Sequence, residues 1–368
     1  MEQLLREWPP GFGGVERVAH GLASVWSDPV YVLLAPLSGK DPLPVPYARS
    51  RLRSLSWGRL ILPLPCRPLL RLLVGREPLL AHLPCPTVLA LALVARLLHP
   101  KRKIVLLWHS FLMPRVGWIG WLEGLYQWIA LQCGRWFFVI TTSPVLQQSL
   151  ERRGFRKARL AWLSCVLPSQ LEQSYEQIWN LREQSKQSHG RVIAIGRLDS
   201  YKRIDWLIKA FASVPAAREL LIVGDGPDRS SLERLAVSLE CRGQTIRFLG
   251  RVDERRKHEL LAQADVLVLS ADRCNEAFGI VQLEAMACGV PALAFSIPDS
   301  GMHWVSRIPS LDWPGNHQGL SQVLQRLFSE PALYQKACQE SRQRYVENFS
   351  QSVWRSRLQQ LAMGFVDA

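Results

Sequence analysis

The chain has 368 residues, of which 48% are apolar and 21% charged, and this composition excludes a disordered chain and favours a globular protein. Its length exceeds what one hydrophobic core usually covers, so two domains are expected. The formal net charge of +14 is carried almost wholly by residues 1–170, which hold 21 Lys or Arg against 8 Asp or Glu, whereas the remainder holds 24 against 23.

In the first half of the chain, short apolar runs alternate with longer helical patterns, which is typical of β-α-β units and a parallel sheet. The pattern predicts strands at Val30–Leu34, Lys103–Trp108 and Trp136–Thr141. It predicts helices at Val15–Val25, Val88–Leu98, Leu122–Gln132 and Ser143–Arg152.

The second half repeats this alternation more regularly and predicts a doubly wound α/β domain. Predicted strands are Arg191–Ile195, Glu219–Val223, Thr245–Leu249, Val266–Leu269 and Pro291–Phe295. Predicted helices are Ile204–Val214, Arg229–Leu239, Asp253–Ala262 and Ile280–Cys288. The polar segment 166–190 is expected to carry the crossover, which gives domains of residues 1–170 and 171–345. A closing helix at about 346–368 is expected to pack back on the first domain.

Two loops contain groups suited to a phosphate. In P-P-G-F-G-G-V-E-R-V, Gly13 and Gly14 come directly before a helix, where backbone N–H groups can approach an anion, although a plain turn is the simpler interpretation. In G-R-L-D-S-Y-K-R-I-D, Arg197 and Lys202 lie on a loop that enters a helix. Cations at the start of a helix are unfavourable because the helix dipole is positive there, unless an anion binds beside them. Two interpretations of Arg197 and Lys202, a clamp for a diphosphate and ordinary surface charges, are therefore about equally favoured.

The segment E-A-F-G-I-V-Q-L-E carries two glutamates, Glu276 and Glu284. On one continuous helix they would lie roughly 12 Å and 80° of arc apart, too far for a paired acid and base. We therefore expect Glu276 in the loop before the helix, the N–H groups of Phe278 and Gly279 at its first turn, and Glu284 about one turn inside. Because its neighbours are apolar, Glu284 needs a partner if it is buried.

Among the histidines, His109 is the strongest functional candidate, and His82 and His303 are weaker ones. His109 follows a predicted strand at its carboxyl edge, which makes it a candidate, although a lone histidine is more often structural. His82 and His303 are expected to be packing or loop residues. The sequence V-G-D-G-P-D, residues 223–228, is interpreted mainly as a turn.

Several classes of protein lack support. The eight cysteines have no metal-ligand spacing and no D-x-D sequence occurs, so no metal is expected and a reducing compartment is favoured. No G-x-G-x-x-G or G-x-S-x-G element supports dinucleotide redox chemistry or a hydrolase. No signal peptide is recognised, and the longest apolar runs are interrupted before the ~20 residues of a spanning helix.

Four motifs in fixed order carry a family resemblance: P-P-G-F-G-G-V-E-R-V, W-H-S at 108–110, G-R-L-D-S-Y-K-R-I-D, and E-A-F-G-I-V-Q-L-E-A-M-A-C-G-V-P. Together they resemble the retaining glycosyltransferases of group 1, also called family 4. The resemblance implies an α/β protein of the GT-B fold, with two Rossmann-like doubly wound domains facing a central cleft. It implies a nucleotide-sugar donor as substrate, a glycan acceptor, and no cofactor.

The resemblance also implies roles for the second-half residues. Arg197 and Lys202 would hold the diphosphate, Glu276 the sugar hydroxyls, and Glu284 the ribose. Arg251 and Val252 would meet the base. Further donor-binding residues would be Phe278, Gly279 and Ile280.

In the first half, the resemblance places Gly13 and Gly14 at the donor phosphate and His109 beside the transferred sugar. The catalytic group would then be His109, Glu276, Arg197 and Lys202. Attack would occur on the face of the leaving group, so that the departing diphosphate helps to deprotonate the acceptor and its growing charge is stabilised by cations.

Two departures from the family pattern matter. The opening M-E-Q-L-L-R-E-W is a poor version of an apolar first strand, so either that strand is short or the start is truncated. The loop I-P-D-S-G-M-H-W-V resembles a subset that acts in O-antigen and exopolysaccharide assembly, some members of which use GDP-mannose.

The acceptor side is suggested by composition. Nine of the fourteen tryptophans lie in the basic first half, and tryptophan with arginine suits an anionic membrane interface. The candidate surface residues are Arg49, Arg51, Arg53, Trp57, Trp118 and Trp121. A lipid-linked acceptor and a peripheral position on the cytoplasmic face are expected, and the alternative is a solvated basic face over an ordinary core.

Other functions stay open at this point. A GT-B sugar-nucleotide epimerase would use the same donor site, and a non-catalytic nucleotide-binding, membrane-docking protein would keep only part of it. A nucleic-acid partner is not expected, because the charge is not accompanied by a recognition module.

Overall fold

The computed structural model describes residues 1–9, 14–34, 44–57, 60–113, 115–185, 188–239 and 243–366. Their contacts group the chain into two compact units, Met1–Cys165 and Val166–Ala368. Each unit has its own sheet and its own buried core. None of the described helices combines the length and apolar character needed to cross a bilayer.

The first unit alternates strands and helices. In chain order these are β1 (Glu2–Leu5), α1 (Gly14–Trp26), β2 (Val30–Val32), β3 (Arg49–Arg51), β4 (Ser54–Trp57), β5 (Leu60–Pro63), α2 (Arg67–Val74), β6 (Leu79–Leu83), α3 (Pro86–Leu98), β7 (Ile104–Trp108), α4 (Trp118–Gly134), β8 (Phe138–Thr141), α5 (Pro144–Arg152) and β9 (Leu160–Trp162). Seven strands form a parallel sheet in the order β3-β2-β1-β6-β7-β8-β9, while β4 and β5 form an antiparallel hairpin.

The sequence explains the local choices in this unit. Strands β6 and β7 are buried along their whole length, as expected for the middle of a parallel sheet covered on both faces. Helices α3 and α5 begin with a proline, and α2 has a proline as its second residue, which suits the first turn because the N–H groups there need no partner within the helix. Ser143 caps α5 by accepting a hydrogen bond from the Leu146 N–H.

The first strand is short, as the sequence predicted, yet it lies between β2 and β6 in the interior of the sheet. Its two polar residues are buried with partners. Arg102 Nη2 donates to Glu2 Oε2 at 2.6 Å, and the Tyr31 hydroxyl donates to Glu2 Oε1 at 3.2 Å. Burial raises the pKa of Glu2 even though Arg102 opposes this change. Satisfied hydrogen bonds therefore allow a polar sequence to form a core strand.

The second unit contains α6 (Ser169–Ser185), β10 (Arg191–Ile195), α7 (Ile204–Ala212), β11 (Glu219–Val223), α8 (Arg229–Ser238), β12 (Thr245–Gly250), α9 (Glu254–Gln263), β13 (Val266–Val268), α10 (Val281–Ala287), β14 (Ala292–Leu293), α11 (Met302–Ser306), α12 (His317–Ser329), α13 (Pro331–Phe349) and α14 (Gln351–Val366). Its sheet is parallel with the order β12-β11-β10-β13-β14. From β10 the chain first adds strands on one side of the sheet and then on the other. This reversal of the strand order is the doubly wound arrangement.

Most of the polar segment 166–190, which was expected to carry the crossover, forms α6. Glu172 in this helix accepts hydrogen bonds from the Tyr345 hydroxyl and the Gln351 N–H, each at 3.1 Å, which joins α6 to α13 and α14. The closing helical segment is interrupted at Ser350, the C-cap of α13. Contacts group α14 with the second unit, and the packing of 346–368 on the first domain stays a prediction.

Candidate active site

The carboxyl ends of β10, β11 and β12 approach one another closely. Gly224 has a φ of +133°, and a Cβ there would lie 1.8 Å from the Gly196 carbonyl oxygen. Gly196 N donates to Val223 O at 2.9 Å, and Gly224 N donates to Gly250 O at 2.7 Å. Only glycine permits this contact, so the glycines create a floor of backbone at the strand ends, where α/β sheets bind ligands.

The turn at residues 223–228 packs against the loop that follows β10. Leu198 N donates to Asp225 O and Asp228 N donates to Leu198 O, both at 3.1 Å. The turn chemistry that the sequence suggested is therefore present, and it fixes the loop carrying Arg197. The Arg197 guanidinium is exposed, with Nε 2.8 Å from Asp199 Oδ2.

The end of this loop is held in a strained conformation. Arg203 has φ +48° and ψ +41°, a left-handed conformation that costs energy for a residue with a side chain. Its guanidinium pairs with Asp205 and Asp272 at 2.8 and 3.1 Å and lies 3.9 Å from the Trp206 ring centre. Ser270 Oγ donates to the Lys202 carbonyl at 2.8 Å. These contacts compensate the strain and fix the backbone at Lys202.

The Lys202 ammonium forms an ion pair with the Glu276 carboxylate, and both side chains are mostly shielded from solvent. Burial by itself disfavours the charge, but the carboxylate more than compensates, so the pKa of Lys202 is raised above its usual value. Lys202 is therefore a permanent cation at neutral pH. Because an ammonium group has three N–H donors, it can hold Glu276 and a further anion together.

The segment after Glu276 is fixed by hydrogen bonds. Ser300 Oγ donates to the Glu276 carbonyl at 2.5 Å, and Gln282 Nε2 donates to the Phe278 carbonyl at 2.7 Å. Gly279 has φ +71°, and a Cβ there would lie 2.5 Å from a Leu269 methyl carbon. This position therefore requires glycine.

Helix α10 begins at Val281 with Ile280 as its N-cap residue. Within the part of the chain that the structure describes, no acceptor is hydrogen bonded to the N–H groups of Phe278 and Gly279. These groups and Glu276 supply donors, a carboxylate acceptor and, through Lys202, a positive charge. The set is suited to a ligand with hydroxyl groups and a phosphate.

Glu284 lies one turn inside α10 and its residue is 1% exposed. The partner that its burial requires is Lys257 in α9, whose Nζ lies 2.8 Å from Glu284 Oε1 and 2.7 Å from Glu254 Oε2. Lys257 was not among the residues predicted from the sequence. A signal was present, since Lys257 occupies the same helical face as the buried Leu260 and Leu261.

Arg251 and Val252 follow β12 directly, at the carboxyl end of that strand. Arg251 is exposed and Val252 is half-buried. Like the other candidate ligand-binding residues of this unit, they lie where a strand ends or a helix begins.

In the first unit, His109 follows β7, and its backbone N donates to Leu83 O at 3.0 Å. His109 Nε2 lies 3.0 Å from His82 Nδ1, and His82 Nε2 lies 3.0 Å from Gln3 Oε1. Burial lowers the pKa of His109 to about 3 and lowers that of His82 well below its usual value. His82, expected only to pack, therefore contacts the candidate histidine directly. Gly14 is exposed and begins α1, while Gly13 lies outside the described residues.

Helix α4 presents an unusual amount of apolar surface. Trp118, Trp121 and Trp128 are 74%, 68% and 59% exposed. Other exposed apolar residues of this helix are Ile119, Leu122, Leu125 and Ile129. The buried residues of this helix are Gly120, Ala130 and Gly134, so α4 contributes mostly small residues to the core.

The candidate arginines differ in their surroundings. Arg49 donates to the Pro9 carbonyl at 2.7 Å and lies 5.4 Å from the Trp8 ring centre, so its guanidinium is engaged within the unit. Arg51 and Arg53 are exposed. The Trp57 side chain lies outside the described part of the chain, although its backbone belongs to β4.

No group of three His, Cys, Asp or Glu side chains among the described residues is arranged to hold a metal ion. The cationic groups at the candidate site are instead arginine and lysine side chains.

Comparisons with known proteins agree on one family. Residues 177–344 match the sequence profile of the family described as Glycosyl transferases group 1. The N-acetyl-alpha-D-glucosaminyl L-malate synthase of Bacillus anthracis is 31% identical over 163 residues, 43% of this chain and 41% of that protein. The GDP-mannose-dependent monoacylated alpha-(1-6)-phosphatidylinositol monomannoside mannosyltransferase of Corynebacterium glutamicum is 43% identical over 106 residues, 27% of each. The chain spans less than half the length of these relatives.

A solved structure resembles the whole chain. HepE from Anabaena, in complex with UDP, has a TM-score of 0.75 at 17% identity, covering 100% of this chain and 99% of that one. This likeness shows the fold and confirms the predicted GT-B class, with parallel sheets in two α/β units. The matches also confirm the resemblance to group 1 glycosyltransferases that the motifs indicated.

Proposed function

We propose that the protein is a retaining glycosyltransferase that moves a hexose from a nucleotide diphosphate sugar to a glycan acceptor. The observation that carries this proposal is the Lys202–Glu276 ion pair beside the Phe278 and Gly279 N–H groups. It lies within the segment that matches the group 1 family. A cation, two backbone donors and a carboxylate form a set that suits a sugar joined to a phosphate.

In this proposal the diphosphate binds Lys202, Arg197 and the amide groups before α10. Glu276 accepts hydrogen bonds from the sugar hydroxyls, while its ion pair with Lys202 keeps the carboxylate oriented. Because Lys202 has three N–H groups, it can contact the carboxylate and a phosphate oxygen together. The site is therefore organised before the donor binds.

Glu284 accepts hydrogen bonds from the ribose hydroxyls, and Lys257 fixes the carboxylate orientation. Arg251 and Val252 contact the base. Ile280 contributes its backbone as the N-cap residue of α10.

The chemical step forms a bond between the acceptor oxygen and the anomeric carbon and breaks the bond from that carbon to the diphosphate oxygen. The acceptor proton passes to the departing diphosphate. Lys202 and Arg197 stabilise the negative charge that grows on the leaving group, so the site's own cations perform the task that a metal ion performs in other transferases. Attack on the face of the leaving group retains the anomeric configuration.

We propose a GDP- or UDP-sugar as donor and a lipid-linked glycan as acceptor, in cell-surface polysaccharide or lipopolysaccharide synthesis. The Corynebacterium relative is described as GDP-mannose-dependent and as acting on an acylated phosphatidylinositol mannoside, and HepE was solved with UDP. A lipid-linked acceptor also suits the apolar surface of α4, which would lie in the plane of the cytoplasmic leaflet as a peripheral contact.

The test of this function is nucleoside diphosphate release from a panel of UDP-, GDP- and ADP-sugars by the full chain, with lipid-linked acceptor in anionic vesicles. Lys202→Ala and Glu276→Ala are expected to lower turnover by about a hundredfold or more, because each removes charge stabilisation at the leaving group or sugar. Lys209→Ala, an exposed lysine of α7, is the matched control.

The outcomes separate the alternatives. Release of nucleotide with a glycosylated product of retained configuration supports the proposal. An epimerised donor without transfer selects the epimerase, and nucleotide binding by calorimetry without turnover of any donor selects a non-catalytic binding protein. Turnover at the wild-type rate in Lys202→Ala would remove that residue from the site.

A further inference from the structure

Two segments of the second unit meet where the neighbouring parallel strands β10 and β13 end. The loop after β10 carries Lys202, and the segment after β13 carries Glu276. The ion pair between these two side chains therefore joins parts of the chain that are 74 residues apart. Its geometry depends on the contacts that fix one segment against the other.

Hydrogen bonds to the backbone beside Lys202 are the first of these contacts. Asp272 N donates to Tyr201 O at 2.9 Å. Ser270 Oγ lies 2.8 Å from the Lys202 carbonyl oxygen and 3.1 Å from that of Arg203. These hydrogen bonds fix the two segments against each other close to the ion pair.

The Arg203 side chain adds a charged link between the segments. Its Nη1 lies 3.1 Å from Asp272 Oδ2, in the segment after β13. Its Nε and Nη2 lie 2.9 and 2.8 Å from the two carboxylate oxygens of Asp205, and its guanidinium lies 3.9 Å from the Trp206 ring centre. Asp205 and Trp206 belong to α7, which continues directly from the loop of Lys202. Among these partners, Asp272 is therefore the one that lies on the other segment.

The backbone of Arg203 does not favour an arginine. Its φ of +48° and ψ of +41° are left-handed, a conformation that glycine adopts readily and that a residue with a side chain adopts under strain. What the arginine adds is a fork of N–H groups that binds Asp205 and Asp272 together. Strained residues persist where the surrounding contacts over-determine them, and they are frequent at ligand-binding segments.

We propose that Arg203 and Asp272 are positioning residues whose ion pair holds the Lys202 ammonium beside Glu276, ready to bind a diphosphate before any donor arrives. They act through Lys202 and not by contact with the ligand. That this ligand is a diphosphate rests on the proposed function, whereas the link between the two segments is a property of the unit alone. Without the link, each anion that binds would first have to order the ammonium, and affinity would fall.

The first experiment measures the state of Lys202 without a ligand. Trace acylation of the full chain with acetic anhydride at pH 8, followed by peptide mass spectrometry, reports how often each lysine is a free amine. Asp272→Asn is expected to raise the Lys202 rate about threefold or more, because a looser ion pair lowers the pKa of the ammonium and increases the free amine. The titratable groups that act on Lys202 are Glu276, Tyr201 and Asp199, and this variant leaves all three in place.

Asp205→Asn is the matched control. It also removes one carboxylate from Arg203, but it leaves the link to Asp272 intact. The Lys202 rate in this variant is expected to stay close to that of the wild type. Lys209, an exposed lysine of α7, should react at the same rate in every variant.

The second experiment measures the Kd for UDP and GDP by calorimetry in the same variants. Asp272→Asn is expected to raise the Kd of the nucleotide that the wild type binds by about tenfold, the effect of one weakened hydrogen bond to a charged group. Asp205→Asn is expected to change the Kd by less than about threefold, since the two segments remain joined.

Two variants of Arg203 itself separate positioning from stability. Arg203→Ala and Arg203→Gly both remove the guanidinium, but glycine relieves the backbone strain and alanine keeps it. Arg203→Gly should therefore unfold at a higher temperature than Arg203→Ala, while both weaken nucleotide binding by the same factor of about ten. A residue that only supported the fold would weaken binding in step with the loss of stability.

Wild-type reactivity of Lys202 and a wild-type Kd in Asp272→Asn would overturn the inference. So would an equal effect of Asp205→Asn, or binding that is restored in Arg203→Gly, because the link by the guanidinium would then be unnecessary. Raised reactivity of Lys202 in Asp272→Asn, together with no binding of UDP, GDP or ADP by the wild type, would reject the proposed function and, with it, the diphosphate as ligand. These results are distinguishable because acylation needs no substrate.

Discussion

Lys257 and Glu284 form an ion pair that is almost fully removed from water. Removing two charges from water is costly, and the attraction between them offsets that cost only when the geometry is good. Lys257 gains a second carboxylate from Glu254 at the surface end of α9. Lys257 thus helps to fix the orientation of the Glu284 carboxylate.

Replacing Lys257 should therefore harm both stability and nucleotide binding. Lys257→Ala leaves the Glu284 carboxylate buried without this cation, and we expect the free energy of unfolding to fall by about 3–5 kcal/mol. Urea denaturation at pH 8 measures the change. Lys209→Ala should unfold like the wild type. Equal midpoints for Lys257→Ala and wild type would contradict a structural role for the pair.

His109 predicts how stability depends on pH. Its pKa is about 3 in the folded chain because of burial, against 6.5 for the free side chain. Between these two values the unfolded chain therefore binds more protons at His109 than the folded chain does. Above pH 6.5 the side chain is neutral in both states, so its contribution to the free energy of unfolding is complete. As the pH falls towards 3, that free energy decreases by up to about 1.4 kcal/mol per pH unit. His109→Asn should lose less stability on acidification than the wild type.

Denaturant midpoints of both proteins from pH 8 to 4 test this expectation. Above pH 7 the two stability curves should run parallel, which separates a constant effect of the substitution from the proton-linked one. A constant difference throughout the range would show that His109 does not contribute the expected proton linkage.

The sequence predicted the candidate residues that belong to recognisable motifs, and missed those defined only by a distant partner. Glu276 and Glu284 were assigned to a loop and a helix from their spacing, as the structure has them. The pairing of Lys257 with Glu284 and of His82 with His109 was not predicted, because the partners lie 27 residues apart along the chain. Spacing indicates which residues share an element, but it does not indicate which residues meet across a sheet.

At the scale of elements, the bounds of α4 differ from the predicted ones. The predicted helix covered Leu122–Gln132, whereas the observed one starts at Trp118 and ends at Gly134. Its apolar residues are distributed around the axis instead of forming one stripe towards the core, so periodicity could not locate its ends. By contrast, the bounds of β10 and β11 match the predicted ones, because both strands are apolar runs between clear turn signals.

The exposed tryptophans of α4 should control membrane binding. Trp118→Ala with Trp121→Ala is expected to weaken binding to vesicles of mixed zwitterionic and anionic lipid by about tenfold or more, since two large apolar side chains no longer leave water. Flotation or sedimentation with vesicles measures the partition. Val237→Ala, an exposed apolar residue of α8, is the control. Binding that is unaffected by loss of both tryptophans would exclude this surface of α4.

At the scale of the whole molecule, charge and fold are distributed differently. Both units are parallel α/β structures, yet the first holds nearly all of the net positive charge. Alternation of strands and helices was sufficient to predict the fold class, because both faces of a parallel sheet must be covered. The polar interior of β1 and the helix α6 could not be predicted, since each depends on partners far away in sequence.

The charge distribution makes a prediction of its own. Binding of the wild type to anionic vesicles should fall steeply as salt rises from about 50 to 500 mM, because screening shortens the reach of the exposed arginines. Arg51→Ala with Arg53→Ala should reduce both the affinity and its dependence on salt. Binding of equal strength to purely zwitterionic vesicles would show that charge makes no contribution.

The exposed face of α4 has a further consequence for handling the protein. A monomeric water-soluble protein seldom presents so many large apolar side chains on one helix, and such a surface promotes self-association when nothing covers it. In a buffer without lipid, purified chains should therefore aggregate as their concentration rises. A mild detergent below its micelle concentration, or replacement of Trp118, Trp121 and Trp128 by polar residues, should give the monodisperse samples that crystallisation requires.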